Sequence, residues 1–149
     1  MKIIVQNKKA RHDFAILETI EAGIALRGTE VKSLREGRAN LRDSYALVQG
    51  GEVLLRGLQI SPYSHTSDRA LDPVRDRKLL MNRDEIHKLV VKINEKGMTL
   101  VALKLYFNPR GIVKVELGLA KGKRLYDKRE AIAERETKRD LDRALKRER

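Results

Sequence analysis

The chain contains no cysteine and no tryptophan. Without cysteine there is no disulfide, no thiolate nucleophile and no cysteine-held zinc, and a reducing compartment is permitted. Aromatic residues are scarce: four Tyr and two Phe in 149 residues are too few for a broad platform on which successive bases could stack. No stretch approaches the roughly 20 apolar residues that cross a bilayer, and the N-terminal segment lacks the apolar region of a signal peptide. Together these absences read as a cytoplasmic protein. The nucleophile elbow, the P-loop, the dinucleotide fingerprint and the HExxH zinc pattern are also missing. His12, His65 and His87 are too dispersed to form a metal pair by local spacing. The expectation is no catalytic residue, no metal and no cofactor.

Positive charge is what the chain has in excess. Thirty-three Lys and Arg against 21 Asp and Glu give a formal charge of +12, a field that attracts a polyanion, and nucleic acid is the first partner to consider. Three basic clusters stand out: Lys8, Lys9, Arg11 and His12 ahead of the first expected strand; Arg75, Arg77 and Lys78 at the end of a long loop; and Lys121, Lys123, Arg124, Lys128 and Arg129 leading into the C-terminal segment. Tyr126 sits among these last cations and offers a stacking surface, with Gly122 as a hinge. Glu21, Glu30 and Asp43 could in principle pair for metal-dependent phosphodiester cleavage, yet each has an ordinary structural explanation at a turn, in a first helical turn or before a strand.

Local signals predict a small antiparallel barrel of the oligonucleotide-binding (OB), Greek-key kind, mainly β with helices, over residues 1–120. Phe14 to Arg27 reads as a hairpin broken at Glu21-Ala22-Gly23. Thr29 to Arg35 reads as a short helix with Thr29 as N-cap and Gly37 closing it. Tyr45 to Val48 and Val53 to Leu58 flank a Gly50-Gly51 turn, giving a second hairpin. Ser61 to Arg77 reads as a long loop and a candidate contact surface. Asn82-Arg83-Asp84-Glu85 is a capping-box pattern, followed by Ile86, Leu89, Val90 and Ile93 on one helical face before Gly97. Leu100 to Phe107 and Ile112 to Leu119 flank the turn sequence Asn108-Pro109-Arg110-Gly111 as a third hairpin.

Residues 121–149 change character. They hold 12 Lys and Arg against 7 Asp and Glu, and their apolar residues make no continuous stripe. Arg135, Arg139, Arg143 and Arg147 recur every fourth position, so a helix would align them along one side, at a cost in mutual repulsion. The segment is expected to be disordered when free and helical when bound to RNA.

Six ordered motifs resemble one family, the SsrA-binding protein (small protein B) of bacterial trans-translation: Asn7-Lys8-Lys9-Ala10-Arg11-His12, Glu21-Ala22-Gly23-Ile24-Ala25-Leu26, Gly28-Thr29-Glu30-Val31-Lys32-Ser33-Leu34-Arg35, Asp43-Ser44-Tyr45, Asp72-Pro73 with Arg77-Lys78-Leu79-Leu80, and Ala120-Lys121-Gly122-Lys123 with Asp127-Lys128-Arg129. The resemblance implies a protein whose barrel binds the transfer-RNA-like domain of transfer-messenger RNA (tmRNA, SsrA RNA). Its C-terminal tail would occupy the empty messenger path at the decoding centre, so that stalled ribosomes are rescued. The implied partners are tmRNA, the 16S ribosomal RNA of the small subunit, and elongation factor Tu through the charged RNA. The implied RNA-binding positions are Asn7, Glu21, Leu80 and Lys114, with Lys8, Arg11 and His12 in support. The tail motif falls on Asp127, Lys128 and Arg129, approached by Lys121, Gly122, Lys123 and Arg124, with Arg135 to Arg147 beyond. A ribosomal or ribosome-assembly protein that binds ribosomal RNA directly is the alternative reading.

Overall fold

The computed structural model of the protein describes residues 1–63 and 72–122. His65 and the whole segment from Lys123 onward, with the expected free and bound states of the tail, lie outside the described residues. The chain runs β1 (Lys2–Gln6), α1 (Lys8–Asp13), β2 (Phe14–Ile24), α2 (Gly28–Arg35), β3 (Ala39–Asn40), β4 (Tyr45–Gln49), β5 (Glu52–Arg56), β6 (Gln59–Ile60), β7 (Arg77–Leu80), α3 (Arg83–Lys96), β8 (Thr99–Phe107) and β9 (Val113–Gly122).

Every pairing in the main sheet is antiparallel, in the order β1-β8-β4-β5-β7-β2-β9, and a further pairing of β8 with β9 closes six of these strands into a barrel. Strand β1 stands outside the ring because β8 divides one edge between two neighbours: Leu100 and Val101 face β4, while Lys104 to Phe107 face β1. The expected antiparallel barrel is therefore what the chain forms. Its inward positions alternate as a closed sheet requires, with Val53, Leu55, Leu100, Ala102, Leu105, Val115 and Leu117 fully buried. Helix α3 packs Ile86, Leu89 and Ile93 against this core, and α1 places Ala10 on a separate outer cluster with Val101, Leu103 and Ala120.

Where the signal is local, expectation and structure agree. Asn82 caps α3 by accepting from the Glu85 amide at 2.9 Å, and Gly97 ends it at φ 60°. Gly50 and Gly51, both at positive φ, make the two-residue turn between β4 and β5. Asn108 accepts from the Arg110 and Ile112 amides in the β8–β9 turn.

Four expectations are corrected. Phe14 to Arg27 is not a hairpin: Phe14–Ile24 is one strand, paired with β9 from Phe14 to Gly23. Gly23 serves close approach rather than a turn, since a Cβ there would stand 3.1 Å from the Leu80 Cβ. Lys8 to His12 do not precede the first strand but form α1, after β1. Thr29 does not cap α2; Arg27 is the N-cap, and its amide donates to Glu30 Oε1 at 2.9 Å. Lys121 and Gly122 do not open a tail: they are the last residues of β9, opposite Ala15 and Phe14.

The long loop ends in the most buried charge of the barrel. Arg77, with no exposed surface, opens β7 and donates to Glu30 Oε2 through Nε at 2.8 Å and to the Leu58, Arg75 and Pro73 carbonyls. Arg75 bonds the other Glu30 oxygen. Of the second basic cluster, Arg77 and the partly buried Arg75 tie α2 to β7, while Lys78 is exposed and pairs with Glu52 at 3.1 Å. Burial pushes the Glu30 carboxyl up, but hydrogen bonds from Arg75, the Arg27 amide and Arg77 outweigh it and hold the carboxyl below its ordinary value. A carboxyl lowered on folding stabilises the protein above its unfolded value and loses that contribution as pH falls through the folded one. Glu30→Gln is expected to cost about 3 kcal/mol at pH 7 by leaving Arg77 buried and uncompensated. In urea unfolding the gap between variant and wild type should narrow on acidification below the carboxylate range; equal midpoints at pH 7 would contradict this assignment.

Candidate nucleic-acid interface

The outer surface of the barrel is organised in two rows that cross β2, β9 and β8. Because Val113 and Val115 point into the core, Lys114 points outward, and its register partners do the same. The first row reads Leu80, Gly23, Lys114, Tyr106 and Ile3 across β7, β2, β9, β8 and β1. The second, two residues along, reads Glu21, Glu116, Lys104 and Gln6. Three residues named from the sequence, Glu21, Leu80 and Lys114, therefore meet on one face. Leu80 is 55% exposed, resting on the flat patch left by Gly23. A bulge at Leu103 brings Lys104 onto this outer face beside the helix-packing residue.

Two residues of this face were not foreseen. The Tyr106 hydroxyl reaches across β9 and donates to Glu21 Oε2, although the tyrosine is buried. Lys104 Nζ lies 5.6 Å from the centre of the Tyr106 ring and 3.1 Å from Glu116 Oε2. Burial, reinforced by the Glu21 bond, pushes the Tyr106 hydroxyl well above its ordinary value, so it stays protonated and donates. The signal available in the sequence was the alternation of Lys104 and Tyr106 along a strand, which places both on one side.

Helix α1 borders the second row. Asn7 holds it there: its amide nitrogen donates to the Leu41 and Ala102 carbonyls, both at 2.9 Å, and its oxygen accepts from the Ala10 amide at 3.1 Å. Buried and so engaged, the Asn7 amide is not placed to meet an RNA directly; it fixes the helix. Lys8 and Arg11 are exposed and line a small cleft with Gln6 and Lys104, which joins helix and sheet into one surface. Lys9 pairs with Asp43 at 3.0 Å, and His12 is exposed with its Nδ1 against Asp13.

The carboxylates considered for metal chemistry are held apart by different partners: Glu21 by Tyr106, Glu30 by Arg75 and Arg77, and Asp43 by Lys9. Among the described residues no group of three His, Cys, Asp or Glu could hold a metal ion, and no helix is long and apolar enough to cross a membrane. Lys121 and Gly122 lie in β9, away from Lys114 at its other end. Lys123, Arg124, Tyr126, Asp127, Lys128, Arg129, Arg135, Arg139, Arg143 and Arg147 lie outside the described residues.

The chain as a whole is similar to known proteins. The SsrA-binding protein of Moorella thermoacetica is 58% identical over 146 residues, covering 98% of this chain and 94% of the relative. That of Syntrophobacter fumaroxidans is 61% identical over 148 residues, covering 99% and 91%. A chain from a solved structure described as "tmRNA-SmpB: a journey to the center of the bacterial ribosome" superposes with a TM-score of 0.67 at 54% identity, over 80% of this chain and 83% of that one. The family model described as "SmpB protein" matches residues 4–147, from within β1 through β9 and on to residue 147. With nearly the whole chain inside that match, the chain belongs to the SmpB protein family.

Proposed function

We propose that this protein binds tmRNA and works with it on stalled ribosomes, in the cytoplasm, as an adaptor that makes and breaks no covalent bond. The observation that carries the reading is the continuity between α1 and the outer face of β7, β2, β9 and β8, within a chain whose relatives are SsrA-binding proteins over nearly their full length. The transfer-RNA-like domain of tmRNA is the folded RNA this surface suits.

The two parts of the surface do different work. On α1, Lys8 and Arg11 supply positive charge to phosphates, a contribution that is blind to sequence and sensitive to salt. On the sheet, Lys104 and Lys114 are matched by Glu21 and Glu116, so this face is close to neutral. A neutral face with acceptors, a buried tyrosine and an exposed Leu80 adds little general affinity for polyanions. It discriminates, because an RNA that presents only phosphate to Glu21 and Glu116 is repelled while one that presents hydrogen-bond donors is held. Residues 123–149 supply the ribosomal contact, with Asp127, Lys128 and Arg129 at the decoding centre and the arginine row from Arg135 to Arg147 along the empty messenger path, where closely spaced phosphates offset the repulsion among the arginines.

Filter binding to tmRNA and to an unrelated RNA of equal length, across a salt series, tests the body. The preference for tmRNA should persist as salt rises, and Lys8→Ala with Arg11→Ala should weaken both RNAs and reduce the salt slope by about 2. Two RNAs released together at every salt concentration would overturn the reading. A chain ending at Gly122, which keeps β9 intact, should retain most of its tmRNA affinity and lose alanine tagging on stalled ribosomes. Equal loss of both activities would refute the division between body and tail.

A further inference from the structure

The outer face carries a four-membered network whose geometry is unusual for a surface meant to meet phosphates. Glu21 and Glu116 stand opposite one another on β2 and β9, an arrangement in which like charges repel. Each is restrained by a different residue of β8: Glu116 by the Lys104 ammonium at 3.1 Å, and Glu21 by the Tyr106 hydroxyl. Lys104 also lies against the Tyr106 ring, so the two restraining groups brace each other. Tyr106 is 6% exposed whereas Glu21 is exposed, so the tyrosine cannot itself meet a large ligand but the carboxylate can.

We infer that Tyr106 is a positioning residue that sets the Glu21 carboxylate to accept hydrogen bonds from a donor group on an unpaired nucleotide, either an exocyclic amino group or a ribose 2′-hydroxyl. The inference rests on the tmRNA-binding reading and adds the chemistry of one contact within it. A carboxylate on a free side chain loses rotamer entropy when it takes one orientation on binding; a carboxylate already held by a buried hydroxyl has lost it on folding. One hydrogen bond leaves an ionised carboxylate with further acceptor capacity on both oxygens, and Glu21 is an exposed residue. The tyrosine stays protonated throughout the physiological range, so the bond keeps its direction.

The test is a double-mutant cycle on the full-length protein with Tyr106→Phe, Glu21→Ala and their combination, read as affinity for tmRNA and for an unrelated RNA of equal length. Tyr106→Phe keeps the ring and its packing. Its thermal midpoint should stay close to that of the wild type, while its affinity for tmRNA falls about tenfold and its affinity for the unrelated RNA does not change. In the Glu21→Ala background the same change should cost nothing more. A Tyr106→Phe protein that binds tmRNA as the wild type does, or losses that multiply in the double variant, would overturn the inference. If the midpoint of Tyr106→Phe falls, Glu21→Gln replaces it: the amide still accepts from Tyr106 but has a single acceptor oxygen, so affinity for tmRNA should drop, and an unchanged affinity would overturn the inference. To find the donor, tmRNA transcripts carrying inosine for guanosine, purine riboside for adenosine or a 2′-deoxy sugar at single unpaired positions are compared. One substitution should weaken the wild type and leave Glu21→Ala unaffected, a nucleobase change marking an amino group and a deoxy sugar marking the ribose. No such masked position would also overturn the inference. A wild-type protein without preference for tmRNA would instead defeat the functional reading on which it stands.

Discussion

The double pairing of β9 is the constraint on which the barrel and its outer face both depend. Along one edge β9 meets β2 from Lys114 through Gly122, and along the other it meets β8 from Val113 through Ala120; this second pairing turns an open sheet into a ring. Closure removes the exposed edges that an open sheet would leave. It also fixes which residues share a row. Lys114 is held between Gly23 and Tyr106, and Glu116 between Glu21 and Lys104, by the same hydrogen-bonded register that buries Val115 and Leu117. Slipping that register by one residue would send Lys114 into the core and Val115 to the surface. The position of the polar face is thus enforced by the packing of the apolar one.

A second constraint works from the other side of the chain. Glu30 and Arg77 belong to segments far apart in sequence, and their buried pair, with the Leu58, Pro73 and Arg75 carbonyls around it, holds α2, the start of β7 and the chain before it in one arrangement. Leu80 closes the short strand that Arg77 opens. A change at Glu30 therefore reaches the outer face through β7, although neither Glu30 nor Arg77 has surface there. Basic residues in this protein serve two unlike ends: those on α1 meet solvent, whereas Arg77 is a structural cation.

Much of the architecture was legible in the sequence wherever a signal is completed within a few residues. The Asn82 cap, the Gly50-Gly51 turn and the Asn108 turn each depend on contacts with near neighbours, and each was read correctly. The short strands β1, β3, β6 and β7 were not seen, because a strand of two to five residues is defined by its partner and the partner is distant. Gly23 was misread for a related reason: whether a glycine makes a turn or admits a close neighbour depends on Leu80, which the local sequence does not reveal. Of the site, Glu21, Leu80 and Lys114 were named through resemblance, and register explains why they stand together. Asn7, an RNA-binding position by resemblance, is buried and serves as the clasp of α1. Arg77 belongs to a basic cluster in the sequence, and its burial against Glu30 depends on a residue 47 positions away. Tyr106 went unnoticed because its importance lies in one bond across two strands.

On the proposed function, the α1 side of the barrel and the outer face of β2, β9 and β8 together form the RNA interface. Lysine acetylation footprinting of the full-length protein, free and bound to tmRNA, tests it most directly, since Lys8, Lys104 and Lys114 lie on that surface while Lys32 on α2 and Lys88 on α3 lie elsewhere. Bound tmRNA is expected to protect Lys8, Lys104 and Lys114 and to leave Lys32 and Lys88 reactive. Protection of Lys32 and Lys88 with Lys8 and Lys114 still reactive would contradict it.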